Sequence, residues 1–458
     1  MAGSDFMQRA AQEIFESALA AVDAREATNR AVRVEGSTLT IAESKFPLPS
    51  IFECDVISIG KAAWPMAEGM KLGLQSQLAA GRVVANGVIT APQVAIENRT
   101  LSTGWQHFVG GHPLPNEESL SAAQAAFALL ERVNATGGLL VFLISGGGSA
   151  MIEWPSDETI PLPDLRVAHQ ALITCGAPIR EINAVRRSFS AVKGGQLAAR
   201  APLAKKITLL VCDTNPGDER DVSSGPSLTP LSDAPDPQEV IGRYGLESRL
   251  PISILEAIRA GGERPQSGEN TEHPFYVLLD NQTAVQAAAR KAEQVGFKVE
   301  VVTDVCEQPI AEGCEQLMAR LNSLRESSRG GDGPVCLISG GEFSCPVMGN
   351  GVGGRNSETV LRCAIELHKR RLEAIDNEKA EHVVVFSAGT DGIDGNSPAA
   401  GAVADDTTIA RGHSLGLDAD AYLQRSDSFS YFQALGDAII MGPTGTNVRD
   451  LRIILAGN

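Results

Sequence analysis

A lysine and an arginine in this chain each stand directly behind a glycine where strand-like text gives way to helix-forming text: Lys61 in SIGKAA and Arg355 in GNGVGGRNSE. Cations so placed are aimed at whatever lies beyond the strand ends. Either can neutralise a phosphoryl or carboxylate group, the arginine through a planar two-pronged fork. Glycine turns accompany them. Leu143–Ala150 reads LISGGGSA and Leu337–Ser344 reads LISGGEFS, each after a short apolar run. Turns of this kind at the carboxyl ends of parallel strands are where open α/β sheets bind ligands, and backbone N–H groups there suit anions. Four such turns occur, at Gly60-Lys61, Gly146-Gly147-Gly148-Ser149, Gly340-Gly341-Glu342 and Gly349–Glu358, each expected to abut a strand end. Carboxylates share the loops: Asp213 and Asp218 in VCDTNPGDERD, Glu342 in SGGEFS, Asp391 and Asp394 in GTDGIDG. Loop oxygens beside phosphate turns are how Mg2+ is held, with substrate phosphates completing the shell. The plainer role of an Asp in a turn is to cap its own backbone.

Other chemistries are excluded. Gly60-Lys61-Ala62 lacks the earlier glycine and the Ser or Thr of a P-loop. Gly349, Gly351 and Gly354 match G-x-G-x-x-G, but the next strand ends only at Asp391, far beyond the roughly twenty residues at which a dinucleotide site wants its acidic residue. Counting from Asp391, the third and fifth positions are Ile393 and Gly395, so there is no calcium loop. The histidines have no metal-ligand spacing, Ser149 is not in a G-x-S-x-G elbow, and the H-R-D and D-F-G signatures of protein kinases are missing. A phosphate-handling site is what these residues fit.

Short aliphatic strands alternating with helices must position them. CDVISIGKAAWPMAEGMKLGL runs from strand into helix, GGLLVFLIS and KITLLVCD are further strands, and SLSAAQAAFALLERV is a helix. That rhythm predicts a parallel α/β sheet. From Leu228 to Asp236, LTPLSDAPD reads as an interdomain loop, after which PFYVLLDN, KVEVVTD, VCLISGG and HVVVFSAGTDG restart the pattern. The expectation is two α/β domains, residues 1–235 and 236–458. The N-terminal segment repeats apolar groups at helical spacing (Phe6, Ala10, Ile14, Ala18, Val22), as an amphipathic surface helix does and a signal peptide does not.

Of 458 residues, 43% are hydrophobic and 21% charged, a globular composition. Aromatics are only 5% against 46 glycines, so the core must be aliphatic and the loops tight. A net charge of −17 argues against a nucleic-acid surface but leaves room for a locally positive cleft. No apolar run reaches membrane-spanning length. The eight cysteines form no C-x-x-C pair and read as reduced core residues of a cytoplasmic protein, monomeric or homodimeric, with a small-molecule substrate.

SIGKAA, GGHPLPNEES, LISGGGSA, NAVRRSFSAVKGGQLA, DTNPGDERDVSSGPS, SGGE, GNGVGGRNSE, AGTDGIDG and GPTGTNV occur in this order along nearly the whole chain. In this the sequence resembles the ATP-dependent glycerate 2-kinases whose C-terminal half is the MOFRL domain. The resemblance implies a flavodoxin- or Rossmann-like N-terminal domain with a parallel sheet, a C-terminal MOFRL α/β domain and an interdomain cleft. It implies transfer of the γ-phosphoryl of ATP to the 2-hydroxyl of D-glycerate, with Mg2+. By the same resemblance Lys61, Arg355 and Asp213 are catalytic. Gly146, Gly147, Gly148, Ser149, Gly353, Gly354, Asn356 and Thr390 would bind substrate or phosphate, and Asp218, Glu342 and Asp391 the metal. Which carboxylate takes the hydroxyl proton is left open. This chain writes CDTNPGDER where the family is closer to SDVPGDD, and NSE with Ser357 where it often continues NQE; neither change removes a charged group. Members have often been labelled hydroxypyruvate reductases, an NAD(P)H-dependent activity that would need the dinucleotide fingerprint rejected above. A non-catalytic anion-binding protein would have no use for the loop carboxylates.

Overall fold

The structure, a computed structural model, describes residues 4–49, 51–93, 104–261, 272–328, 333–373 and 382–457. The chain divides into two compact units, Asp23–Leu279 and Met1–Val22 together with Asp280–Asn458.

The first unit, Asp23–Leu279, opens with a small antiparallel meander of β1 (Val32–Glu35), β2 (Thr38–Ile41) and β3 (Ser44–Pro47). Its main sheet holds β4 (Phe52–Ile59), β5 (Val83–Ala91), β6 (Trp105–Val109), β7 (Leu139–Ser145), β8 (Lys205–Val211) and β9 (Phe275–Leu279), in the order β6-β5-β4-β7-β8-β9. Every neighbouring pair is parallel. Every residue of β7, LLVFLIS, is buried, the near-continuous apolar run that helices covering both faces require. One such helix, Glu117–Thr136, starts on a capping box between Asn116 and Ser119 and stops at left-handed Gly137. The chain runs outward from β4 to β6 and then returns to β7 on the other side of β4. The order therefore reverses between β4 and β7, and the crevice beyond their carboxyl ends is where such sheets bind ligands.

The division expected at residue 235 falls inside this unit. The helices Pro237–Arg243 and Ile252–Ala260 share one core with Leu165, Leu172, Val185 and Phe189, and β9 pairs with β8. Pro and Asp at 228–236 mark a chain reversal, which their chemistry favours whether or not a domain ends there.

The second unit carries β10 (Lys298–Val302), β11 (Val335–Gly341), β12 (Val383–Gly389), β13 (Gly401–Asp405), β14 (Ala438–Ile439) and β15 (Asp450–Ala456), in the order β10-β11-β15-β12-β13-β14. Only β10 and β11 are parallel; the last strand, β15, inserts antiparallel between β11 and β12. Its first residue, Asp450, thereby pairs with both Gly341 and Gly389 at the ends of those strands. The N-terminal helix Ser4–Ala21 belongs to this unit. It buries Met7, Ala11, Ile14, Phe15 and Ala18, and the Phe15 ring lies 5.1 Å from that of Phe386 on β12. Phe6, expected on the apolar stripe, is 43% exposed. All eight cysteines are free, and among the described residues no helix is long and apolar enough to cross a membrane.

Phe15→Ala should therefore destabilise the protein by about 3–5 kcal/mol through the cavity it leaves, whereas Phe6→Ala should stay within about 0.5 kcal/mol. Urea denaturation of both variants checks this, and equal midpoints would contradict the core role given to the helix.

Candidate active site

Gly60 ends β4 with φ +111, and a Cβ there would collide with the carbonyl oxygen of Ser145 at the end of β7. Only glycine lets the two strand ends approach this closely. Lys61 N then donates to Gly146 O at 3.0 Å, Ala62 N donates to Ser145 Oγ at 2.9 Å, and Ser145 Oγ donates to Ile59 O at 3.3 Å. The Lys61 side chain lies across Gly147, whose Cβ position is 3.1 Å from Lys61 Cγ and 3.3 Å from Lys61 Cε. His112 Cδ2 is 3.5 Å from the same point. Asp213, just past β8, crosses Gly146 so closely that a Cβ there would overlap its carboxylate. Lys61, Asp213, Gly146 and Gly147 thus come together at the switch point, joined by His112.

The rest of the turn is held by Ser223 and Ser224, which its own sequence does not announce. Gly148 N donates to Ser223 Oγ at 2.9 Å, and Ser223 Oγ donates to Ser145 O at 2.6 Å. Ser149 Oγ lies 2.8 Å from Ser224 Oγ, which donates to Asn183 Oδ1 at 2.8 Å. Ser223 and Ser224 adopt left-handed φ values of 53 and 64, a conformation disfavoured for a residue with a Cβ and held here by these bonds. Asp218 opens the short 3-10 turn Glu219–Ser224, its N–H donating to Asn215 O at 3.0 Å.

The same unit holds a buried network. The Glu153 carboxylate accepts from Lys193 Nζ, Ser190 Oγ (2.6 Å), Trp154 N (3.1 Å) and His169 Nε2 (2.9 Å). Burial alone would raise the Glu153 carboxyl, but Lys193 and His169 outweigh it and hold it at about 2. Burial depresses His169 to about 4, so the ring is neutral at pH 7 and Nε2 carries the proton it donates.

In the second unit Arg355 is the first residue of the helix Arg355–Glu373. Its Nε donates to Asp450 Oδ2 at 2.5 Å and its Nη2 pairs with Glu342 Oε1 at 2.6 Å. Asn356 Nδ2 donates to Asp450 Oδ1 at 2.9 Å, and Asn356 Oδ1 accepts from Ser387 Oγ at 2.6 Å. Asp394 takes the first amides of the helix, accepting from Asn356 N at 2.9 Å, Ser357 N at 2.8 Å and Ser357 Oγ at 2.6 Å. Burial raises its carboxyl against the lowering effect of those donors. Arg452 bonds Ser339 Oγ and the carbonyls of Gly340 and Gly341 and stacks 3.9 Å from the Phe343 ring, bracing the turn that carries Glu342. Arg355, Asn356 and Glu342 lie together, Arg355 contacting Glu342 directly and Asn356 through Asp450. Asp450 and Arg452 are the partners the sequence did not reveal, because β15 reaches this place by a non-local insertion; Asp394, one of the loop carboxylates, caps the start of the Arg355–Glu373 helix.

Two expectations meet a different local structure. The Gly349–Gly354 loop does not abut a strand end. The amides of Gly351, Val352, Gly353 and Gly354 donate to Arg425 O, Asp427 Oδ1, Asn396 Oδ1 and Ser357 Oγ. A Cβ at Gly349, Gly351, Gly353 or Gly354 would meet residues 425–428 or Asp394, so these glycines permit close packing. Glycine spacing reads alike for packing and for phosphate binding. Thr390 is wholly buried, its Oγ1 donating to Arg449 O at 2.7 Å and accepting from Val448 N at 2.9 Å, so its hydroxyl braces a loop. Asp391 Oδ1 accepts from Ile393 N at 3.1 Å, the self-capping role of a turn aspartate.

Among the described residues no group of three or more His, Cys, Asp or Glu is disposed to hold a metal. Of the expected trio, Glu342 and Asp391 lie in the second unit and Asp218 in the first. Mg2+ asks less than a full cage, since one or two carboxylates suffice when phosphates supply the remaining oxygens. Hard oxygen donors gathered at the ends of β11, β12 and β15 fit that limited demand.

Residues 10–259 match the family described as Domain of unknown function (DUF4147), and residues 335–450 match the MOFRL family. The D-glycerate 2-kinase of Thermotoga maritima is 34% identical over 399 residues, covering 87% of this chain and 89% of the relative. A protein of Agrobacterium vitis named as a putative hydroxypyruvate reductase is 34% identical over 406 residues, covering 88% of this chain and 87% of its own length. The crystal structure of a glycerate kinase from Thermotoga maritima matches with a TM-score of 0.77 at 30% identity, covering 98% of this chain and 99% of that one.

The buried network generates a prediction. Glu153→Gln leaves Lys193 buried without its counter-charge and should cost about 3–5 kcal/mol at neutral pH, measured by urea denaturation. The folded carboxyl titrates at about 2 against an ordinary 4.5, so its stabilisation is complete above pH 4.5 and is lost as pH falls towards 2. The stability gap between wild type and variant should narrow across that window. A gap that stays constant would contradict the ion-pair account.

Proposed function

The chain belongs to the glycerate 2-kinase family, and from that premise we propose that it transfers the γ-phosphoryl group of ATP to the 2-hydroxyl of D-glycerate, giving 2-phosphoglycerate and ADP. The observation that carries this reading is the Lys61 side chain laid across Gly147 at the switch point, with Asp213 against Gly146. A cation and a carboxylate on one turn are what an alcohol acceptor needs: charge neutralisation for the incoming phosphoryl and a base for the hydroxyl proton. We assign the first role to Lys61 and the second to Asp213. To Arg355, its fork oriented by Asp450 and Glu342, we assign neutralisation of phosphoryl charge. Mg2+, when bound, supplies further neutralisation of the nucleotide phosphates, and Asp391 and Glu342 are the carboxylates we assign to it. Gly353, Gly354 and Thr390 serve by shaping the loops around Arg355. The reductase name of one relative finds no dinucleotide loop to rest on, since the amides of Gly351, Gly353 and Gly354 in the G-x-G-x-x-G segment serve protein acceptors.

The test runs D-glycerate, ATP and Mg2+ beside hydroxypyruvate and NAD(P)H. Expected is ADP formation that requires D-glycerate and stops with EDTA, with phosphorus NMR identifying 2-phosphoglycerate. NAD(P)H oxidation with ATP inert would overturn the reading. Lys61→Ala and Arg355→Ala should lower kcat by roughly two to four orders of magnitude, more than they raise KM. Arg355→Lys should be nearly as damaging, because the ammonium keeps the charge and loses the fork. Folded variants with wild-type kcat would remove both residues from the mechanism.

A further inference from the structure

Linked by hydrogen bonds to the Gly146–Ser149 turn is a guanidinium with no counter-ion among the described residues. Arg186, on the helix Ile179–Ser188, is only 7% exposed. Among the described residues its one hydrogen bond runs from Nη1 to Asn183 Oδ1 at a long 3.4 Å, and its Nε has no partner. No carboxylate of the described residues lies within ion-pair distance of it. Glu153 is within electrostatic reach but is already held by Lys193, His169 and Ser190. Its neighbour Arg187 is paired with Asp221. Counted together, the buried Arg186 and Lys193 and the partly buried Arg187 stand against the anions Glu153 and Asp221, nearby Arg180 is paired with Asp233, and His169 is neutral. One positive charge is in excess.

A buried guanidinium costs stability unless it is paired, and five donors in a fixed fork are shaped for an oxyanion. The surplus of one charge suits a monoanion; a phosphate group would bring more negative charge than the group can balance. Arg186 is also tied to the turn, through Asn183 Oδ1 to Ser224 Oγ and on to Ser149 Oγ, two residues beyond the glycine crossed by Lys61. We propose that Arg186 is the receptor for the carboxylate of the hydroxy-acid substrate, with Asn183, Ser224 and Ser149 positioning it. This rests on the kinase reading above and specifies where its acceptor is held. The carboxylate of a 2-hydroxy acid is attached to the carbon bearing the reacting oxygen, so its receptor has to lie beside the group that meets the phosphoryl.

The experiment uses the full chain, with Arg186→Gln and Arg186→Lys compared to wild type on D-glycerate and on its neutral amide, D-glyceramide. Expected for Arg186→Gln is a rise in KM for D-glycerate of roughly 30- to 1000-fold, the loss typical of a desolvated charge pair, with KM for ATP within about twofold of wild type. The wild-type preference for D-glycerate over the amide should shrink by a similar factor in Arg186→Gln, and Arg186→Lys should recover part of it. A purely structural arginine would shift neither that preference nor one KM alone. Unchanged discrimination in folded Arg186→Gln, or a selective rise in KM for ATP, overturns the assignment while leaving the kinase reading intact. Absence of D-glycerate-dependent ADP formation by wild type removes both. Should Arg186→Gln fail to fold, Arg186→Lys and the wild-type discrimination against D-glyceramide decide, and an enzyme that uses the amide as well as the acid refutes the proposal.

Discussion

Everything at the switch point of the first unit depends on how closely β4 and β7 come together at their carboxyl ends. Their register sets Ile59 against Ile144, and the next residues are Gly60 and Ser145, where any side chain on the glycine would strike the serine carbonyl. From that contact the rest follows. Ser145 Oγ accepts from Ala62 N and donates to Ile59 O, fixing the backbone on both sides of Lys61, while its carbonyl accepts Ser223 Oγ, which in turn holds Gly148 N. A side chain at position 60 would part the strands, and Lys61 would lose both the strand end that aims it and the flat glycine surface on which its stem lies.

The two units hold their cations by opposite means. Arg355 is compensated at rest, with Asp450 and Glu342 both bound to its fork; burial would lower its pKa, yet those carboxylates raise it, so its charge is secure. Arg186 has no such carboxylate, and burial depresses its pKa to about 10, still far above neutrality. A compensated cation is oriented before its ligand arrives and exchanges partners when it does. An uncompensated one draws an anion to a fixed place. On the proposed reading the second means would hold the acceptor's carboxylate and the first would meet phosphoryl charge, a coherent division because the carboxylate stays an anion throughout while charge shifts over the transferring group and its entering and leaving oxygens.

What could be read in the sequence was what is local. SIGKAA and LISGGGSA each state strand, glycine and functional residue within a few positions, and the structure brings Lys61, Gly146 and Gly147 together accordingly. The misread features are those that depend on remote partners. Residues 236–279 were set apart from the first sheet because nothing local announces that β9 will pair with β8. Gly349–Gly354 looks the same whether its amides face a phosphate or Arg425, Asp427 and Asn396. Glu153 and Lys193 are forty residues apart, and their pairing emerges only when the chain folds round them. Asp450 acquires its place from a final strand inserted against the direction of both neighbours, which no periodicity reports.

The asymmetry between the two carboxylates on Arg355 explains how that site can hold a cation firmly and still receive an anion. Asp450 is almost wholly buried and bonds Asn356 through its other oxygen, so releasing it would strand a buried charge and break two interactions. Glu342 is one-third exposed, and water can solvate it when it lets go. On the proposed reading, an incoming phosphoryl oxygen would compete with Glu342 at modest cost while Asp450 keeps the fork in orientation. Glu342 sits on the turn braced by Arg452, so its backbone stays in place when its carboxylate is displaced. A carboxylate displaced in that way would stay beside the phosphates, and the proposed Mg2+ would find both kinds of oxygen within its reach.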